Sequence, residues 1–124
     1  MIVYNKIEND ARVQRAAVSL SDNYVVNLFS VGKLDNPNVK SIPSKSCESL
    51  GGISTYIKFV IECIINAIKY KPDIIYAHDI FSALPLILLK FLRVANIYIY
   101  DAHELFIKQK SIKLRFYDNL LYSI

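Results

Sequence analysis

The stretch that decides the fold is residues 72–101, which read PDIIYAHDIFSALPLILLKFLRVANIYIYD. Its two ends, 73–77 and 96–100, are short and rich in Ile and Tyr, a composition typical of buried β-strands. Between them, residues 81–94 are apolar over a helical length, and Pro85 falls in the first turn, where proline is tolerated. A strand, a helix and a second strand in this order predict a parallel pair joined by a crossover.

The chain before residue 72 continues the same alternation. Residues 2–4 predict a short buried strand, and Asp10 is placed to cap a helix that runs to about Asp22. Further strands are predicted at 24–31 and 39–42, a long helix at 53–70 that Pro72 stops, and a last helix at 109–123. We therefore expect an α/β fold: a doubly wound, Rossmann-like, mostly parallel sheet of about five strands with helices on both faces.

Composition excludes several classes of protein. The chain has 124 residues, of which 53% are hydrophobic and 21% charged, which excludes a disordered chain. Helix 53–70 carries Lys58, Glu62 and Asn66 along one side, which indicates an amphipathic helix rather than a membrane span. The two cysteines lack any metal-ligand spacing and no signal peptide opens the chain, so we expect a reduced, cytoplasmic protein.

The net charge of +4 has its excess near the end of the chain, at Lys108, Lys110, Lys113 and Arg115. Such a cluster can meet phosphates or an anionic surface, which leaves open a peripheral contact with the inner membrane face. A merely solvated helix face explains it equally well. We expect no nucleic-acid partner.

Polar side chains cluster where three of the predicted strands end. Because parallel strands bring their carboxyl ends to one edge of a sheet, and ligands bind outside that edge, these groups are the candidate site. They are Asn9, Asp10 and Arg12 after the first strand, His78 and Asp79 after the fourth, and Asp101, His103 and Glu104 after the fifth. His103 is the strongest functional candidate, because flanking carboxylates would orient its imidazole and tune its pKa.

Structural roles compete with functional ones at several of these positions. His78 could bond a backbone carbonyl, Asp79 could cap the helix that follows it, and Asp101 could accept from loop amides. The default for Arg12 is solvent exposure. The chain contains no GxGxxG, GxxxxGK[ST] or GxSxG segment, so the dinucleotide, P-loop and hydrolase fingerprints are unsupported.

Three segments together carry a resemblance. Residues 9–15 (NDARVQR) resemble an "ND-x-RV-x-R" helix start, residues 72–79 (PDIIYAHD) a strand ending in A-H-D, and residues 100–106 (YDAHELF) a "YD-x-HELF" segment. In this order and spacing they resemble the N-terminal half of family 4 GT-B glycosyltransferases (glycosyl transferases group 1). That resemblance implies two Rossmann-like domains, the first binding the acceptor and the second a nucleotide sugar.

The resemblance covers only the N-terminal domain. It implies that residues 1–124 are a single truncated acceptor-side domain, that the C-terminal nucleotide-sugar domain is absent, and that the chain alone is inactive and binds no cofactor. His103 would be the catalytic histidine that reaches the donor sugar, while the substrate-binding residues would be His78, Asp79, Asn9, Asp10, Arg12, Asp101 and Glu104. The implied partners are a glycan or lipid-linked acceptor and a C-terminal domain or second chain, and no metal is required.

Three other functions stay open at this point. A metal-assisted hydrolase could take ligands from His78, Asp79, Asp101, His103 and Glu104. A nucleotide-sugar epimerase shares the "PD-x-hydrophobic-x-x-H" strand. A non-catalytic interaction module could pair through an exposed sheet edge.

Overall fold

The computed structural model describes residues 1–47 and 51–102. The strands are β1 (Ile2–Lys6), β2 (Val26–Val31), β3 (Val39–Pro43), β4 (Ile74–His78) and β5 (Ile97–Asp101). The helices are α1 (Ala11–Ser21), α2 (Ile53–Tyr70) and α3 (Ala83–Phe91), with 3₁₀ turns at Ile7–Asn9 and Ile80–Ser82. The helix predicted at 109–123 lies outside the described residues.

The five strands form one parallel sheet in the order β3-β2-β1-β4-β5, which confirms the predicted α/β class. The chain moves from β1 towards one edge through β2 and β3, then returns and moves from β4 towards the other edge. The direction therefore reverses between β1 and β4, where Ile2 pairs with Ala77 and Val3 with His78. This is the topological switch point, at which open α/β sheets form a crevice.

Helices cover both faces, as expected for a doubly wound sheet. On one face, Val13 and Ala17 of α1 pack against Val3 and Leu28. On the other face, α2 and α3 lie side by side over a second cluster of buried residues. Because both faces are covered, five of the six residues of β2 are buried.

Aromatic rings seat α2 on the sheet. Phe59, which is fully buried, stacks on Phe29 of β2 with ring centroids 4.8 Å apart and meets Tyr4 of β1 edge-on at the same distance. Tyr4 also contacts Tyr56, one turn earlier on α2, at 5.1 Å. Edge-on and offset contacts of this kind add to the burial of large apolar area, so the cluster is the centre of this core.

Two strand boundaries differ from the predicted ones by two residues, and those of β3, β4 and β5 differ by at most one. Strand β2 begins at Val26 rather than at residue 24, because the Tyr24 N–H still bonds the Leu20 carbonyl and finishes the end of α1. Strand β1 continues to Lys6, two residues beyond the prediction, and Ile7 is buried although it lies in a polar-looking segment. Strand propensity does not indicate the residue at which backbone N–H groups change from helical to sheet hydrogen bonds.

The long helix begins and ends where the sequence predicts, at Ile53 and Tyr70. Lys71 takes a left-handed conformation (φ 46°) and donates its N–H to the Ala67 carbonyl, and Pro72 then prevents a further turn. Among residues 1–47 and 51–102, no helix has the length and apolarity needed to cross a membrane.

A carboxylate on α2 holds the loop that follows β3. Glu62 accepts hydrogen bonds from the Ser44 hydroxyl and from the N–H groups of Lys45 and Ser46, at 2.8–2.9 Å. Burial alone would raise the pKa of Glu62, but the hydrogen bonds from Ser46, Ser44 and Lys45 outweigh it, and the pKa lies below its usual value of 4.5. The charged carboxylate thus fixes the loop against the helix.

Glu62→Gln should lower the free energy of unfolding by about 1 kcal/mol at neutral pH, because the charged acceptor of three donors is lost. A folded-state pKa below 4.5 means that the charge contributes stability above that pH and loses it as the pH falls. Denaturant titrations should therefore show the difference between the wild type and the variant shrinking below pH 4.5. Asp35→Asn, at an exposed carboxylate of the 32–38 connection, is the control; an equal loss there would contradict the assignment.

Candidate functional site

The predicted site residues of the first and fourth strands meet at the carboxyl edge of the sheet, at the switch point between β1 and β4. Helix α1 starts directly after β1 and its 3₁₀ turn, and Asp79 follows the last residue of β4. Asp101 is the last residue of β5 and is paired in register with His78. The parallel sheet therefore gathers polar groups that are remote in the sequence.

Asp10 is the N-cap of α1. Its Oδ1 accepts from the Val13 N–H at 3.1 Å, and its Oδ2 accepts from the Asn5 side-chain amide at 3.2 Å. Both oxygens are committed to local structure, so the capping role predicted for Asp10 is confirmed. Asn9, the last residue of the 3₁₀ turn, is exposed at this edge.

Arg12 does not take the default of full solvent exposure. Its guanidinium donates to Oδ1 of Asp79 at 3.1 Å, which joins two residues 67 positions apart across the switch point. The two side chains are 38% and 27% exposed, so the pair is reachable from outside. A guanidinium and a carboxylate beside one another can bind a neutral polar ligand through several hydrogen bonds.

Asp79 occupies an unusual backbone conformation, with φ 67° and ψ 160°. This region is open to glycine and strained for residues with a Cβ. Asp79 also makes no side-chain capping bond, although it stands at the N-cap position of the 3₁₀ turn Ile80–Ser82. The structural role predicted for it is therefore wrong: the strained turn directs its carboxylate to Arg12.

A second group of polar side chains lies between β4 and β5. The Tyr76 hydroxyl donates to Oδ2 of Asp101 at 3.0 Å, and Nδ1 of His78 lies 3.4 Å from the same oxygen. The rings of Tyr76 and His78 are 4.3 Å apart. Asp101 is 25% exposed while the His78 side chain is 1% exposed, so a ligand would meet the carboxylate and not the imidazole.

Burial decides the charge of His78. Removal from water lowers its pKa to about 4, and the carboxylates of Asp101 and Asp79 oppose that shift without overcoming it. At neutral pH the short contact with Asp101 is therefore not an ion pair. Burial, followed by the hydrogen bond to Asp101, raises the pKa of Tyr76, so its hydroxyl keeps its proton.

Tyr76 is the site residue that the sequence analysis missed. Successive side chains of a strand alternate between faces, so Tyr76 and His78 share one face of β4 and both reach Asp101. Counting two residues back from His78 along the predicted strand identifies Tyr76 as a residue on the same face. The predicted roles of His103 and Glu104 fall on residues outside those that the structure describes.

Other features of the described part of the chain do not add to this edge. Within residues 1–47 and 51–102, no three His, Cys, Asp or Glu side chains are grouped so that they could hold a metal ion. A cavity of about 60 Å³ lies at the opposite end of the strands, lined by Met1, Asn27, Cys63 and Tyr70 among others. It contains none of the predicted site residues.

Comparison with known proteins adds no relative. No protein-family model, no curated protein and no solved structure matches this chain. The function must therefore be argued from the arrangement of side chains at the carboxyl edge.

Glycine usually makes a protein less stable than alanine does at the same position. The backbone strain at Asp79 predicts the opposite order there. Asp79→Gly and Asp79→Ala both remove the Arg12 partner, but only glycine relieves φ 67°, so the glycine variant should be more stable by about 1 kcal/mol or more. Thermal or denaturant unfolding measures this difference. The same pair of substitutions at Asp35, where φ is not positive, should favour alanine. Equal stability of the two Asp79 variants would contradict the strained turn.

The burial of His78 predicts its titration. In the His103→Gln variant, which leaves one histidine, the imidazole proton resonances should stay unchanged from pH 8 to pH 5.5 and move only near pH 4. The unfolded chain binds this proton near pH 6.5 and the folded chain near pH 4. Stability should accordingly fall as the pH drops from 6.5 to 4, with no contribution from His78 above 6.5. A midpoint near 6.5 would show that the imidazole is solvated.

Proposed function

We propose that this chain forms the acceptor-side domain of a glycosyltransferase, which transfers a hexosyl unit from a nucleotide sugar to a glycan or lipid-linked acceptor. The observation that carries the proposal is the Arg12–Asp79 ion pair. It connects the segment that resembles "ND-x-RV-x-R" with the strand that ends in A-H-D, across the switch point of the sheet. The ion pair thus joins two of the three segments that carry the resemblance.

The chemistry of the exposed groups suits a carbohydrate. Sugar hydroxyls both donate and accept hydrogen bonds, and the edge offers a guanidinium donor at Arg12 and carboxylate acceptors at Asp79 and Asp101. Each of these side chains is between a quarter and two fifths exposed. They are held in place by one another or by Tyr76, which suits a site that must orient a hydroxyl.

In this proposal, His78 is a positioning residue. Its neutral, buried imidazole lies beside the Asp101 carboxylate, and the Tyr76 hydroxyl donates a hydrogen bond to the same group. Both contacts orient Asp101, which faces the acceptor. His103, two residues further along the chain, remains the proposed catalytic histidine. Stabilisation of the leaving phosphate is assigned to a nucleotide-sugar domain or second chain, so the 124-residue chain alone should not catalyse transfer.

Saturation-transfer NMR on the 124-residue chain tests acceptor recognition with a panel of monosaccharides and disaccharides. Weak binding is expected, and Arg12→Ala should reduce the saturation-transfer signal severalfold, because it removes the donor and leaves Asp79 without its partner. Arg15→Ala is the matched control, since Arg15 lies exposed on the same helix.

Calorimetry with UDP-glucose tests whether the nucleotide sugar is bound by another domain or chain. No micromolar binding is expected, because the donor is assigned to another domain. Micromolar binding of UDP-glucose would overturn that assignment. An absence of any saccharide signal, or an equal loss in the Arg12→Ala and Arg15→Ala variants, would remove the support for an acceptor site at this edge.

A further inference from the structure

The cavity at the amino end of the sheet lies in line with β1. Its volume is about 60 Å³, several times the ~15 Å³ that one water molecule needs. Its walls are chiefly apolar side chains from the sheet and from α2, among them Ile2, Phe29, Ile42, Cys63, Ala67 and Ile75. A cavity with such walls suits an aliphatic group better than water.

The strand register shows how the cavity is related to β1. Ile2 pairs with Phe29 of β2 and with Ala77 of β4. Two positions earlier, these neighbouring strands carry Asn27 and Ile75, which both line the cavity. Residues two apart on a strand share a face, so a residue between Asn27 and Ile75, in line with β1, would direct its side chain as Ile2 does, into the cavity.

The backbone on both sides of this position is oriented to receive an extended peptide. On β2, the Asn27 carbonyl accepts from the α-ammonium group of Met1 at 2.7 Å. On β4, the Asp73 carbonyl accepts from the Ile97 N–H of β5. Because the residues of a parallel strand bond to its two neighbours alternately, the N–H and C=O groups of Ile74 face the β1 side instead. Both strands thus offer backbone groups to the same position.

A desolvated cation marks the point where the cavity meets β1. The α-ammonium group of Met1 donates to Asn27, and burial lowers its pKa to about 6. Among residues 1–47 and 51–102, no carboxylate forms an ion pair with it. A carboxylate bound beside Met1 would supply the missing partner.

These three features discriminate between possible occupants. A fatty acid would use the apolar walls and the cation but leave the backbone groups of Asn27 and Ile74 unused. An extended peptide that ends in an aliphatic residue with a free carboxylate would use all three. Strand addition and capture of a terminal carboxylate are both established ways of recognising peptides.

We propose that this cavity binds the C-terminal residue of an extended peptide, which lies between β2 and β4 in line with β1. Its aliphatic side chain fills the cavity, its backbone bonds to both strands, and its carboxylate meets the α-ammonium group of Met1. The cavity is at the opposite end of the strands from the carboxyl edge, so the proposal does not depend on the glycosyltransferase assignment.

Amide-detected NMR titration of the 124-residue chain with the peptide acetyl-Lys-Thr-Val tests the proposal. The amide resonances of Asn27 and Ile75 should shift on binding. The same peptide with an amidated C-terminus should bind roughly tenfold more weakly, because the charged acceptor is lost. Acetyl-Lys-Thr-Gly should also bind roughly tenfold more weakly, because no side chain enters the cavity.

Two changes to the chain occupy the site in different ways. Ala67→Leu places a larger side chain in the cavity wall and should abolish binding, while Ala16→Leu, at a half-buried alanine of α1, is the matched control and should bind as the wild type does. Extension of the chain by Met-Lys-Val before Met1 places a valine at the same position covalently. It should abolish peptide binding and raise the midpoint of thermal unfolding, a readout that does not require Ala67→Leu to fold.

Three results would overturn the proposal. They are the absence of shifts at Asn27 and Ile75 in the wild type, binding by a folded Ala67→Leu variant equal to that of Ala16→Leu, and unchanged binding and stability after the extension. Octanoate that bound as tightly as the peptide would also overturn it, and would assign the cavity to a fatty carboxylate.

Discussion

The pairing of β1 with β4 is the constraint on which the rest of the structure depends. It rests on two register partners, Ile2 with Ala77 and Val3 with His78, and it joins the part of the chain that winds towards β3 to the part that winds towards β5. Beyond Val3 the register of β1 against its other neighbour also shifts. The chain therefore leaves β1 and β4 in opposite directions along the sheet, and a crevice forms between them at the carboxyl edge. Arg12 reaches Asp79 in this crevice.

The polar edge is organised by desolvation as much as by charge. An exposed histidine 3.4 Å from a carboxylate would be stabilised as a cation, yet burial lowers the pKa of His78 to about 4. The Tyr76 hydroxyl donates a hydrogen bond to the same Asp101 oxygen. Asp79 holds its carboxylate against Arg12 through a backbone conformation that costs free energy, and strain of this kind is concentrated at functional sites.

The two helical faces of the sheet differ in how completely they separate apolar from polar residues. Helix α1 buries Val13 and Ala17 and leaves Arg15 exposed, while Arg12 pairs with Asp79. Helices α2 and α3 bury one apolar side and expose another, although the single carboxylate of α2 is spent on the loop after β3. Core packing explains the first arrangement. It does not account for the second, in which Ile57, Ile61, Ile65 and Ile68 of α2 stay exposed.

Local sequence was sufficient for the alternation of strands and helices, for both ends of α2 and for the cap at Asp10, since these depend on propensity, proline and hydrogen bonds within a few residues. It also placed the polar residues at one edge, because parallel strands all point the same way. Strand order, the parallel pairing of β2 with β3 across the short 32–38 connection, the burial of His78 and the Arg12–Asp79 pair were decided by the assembled sheet. Each of these unites groups that are distant in sequence or sets the exposure of a side chain to water, and local propensity carries no information about either.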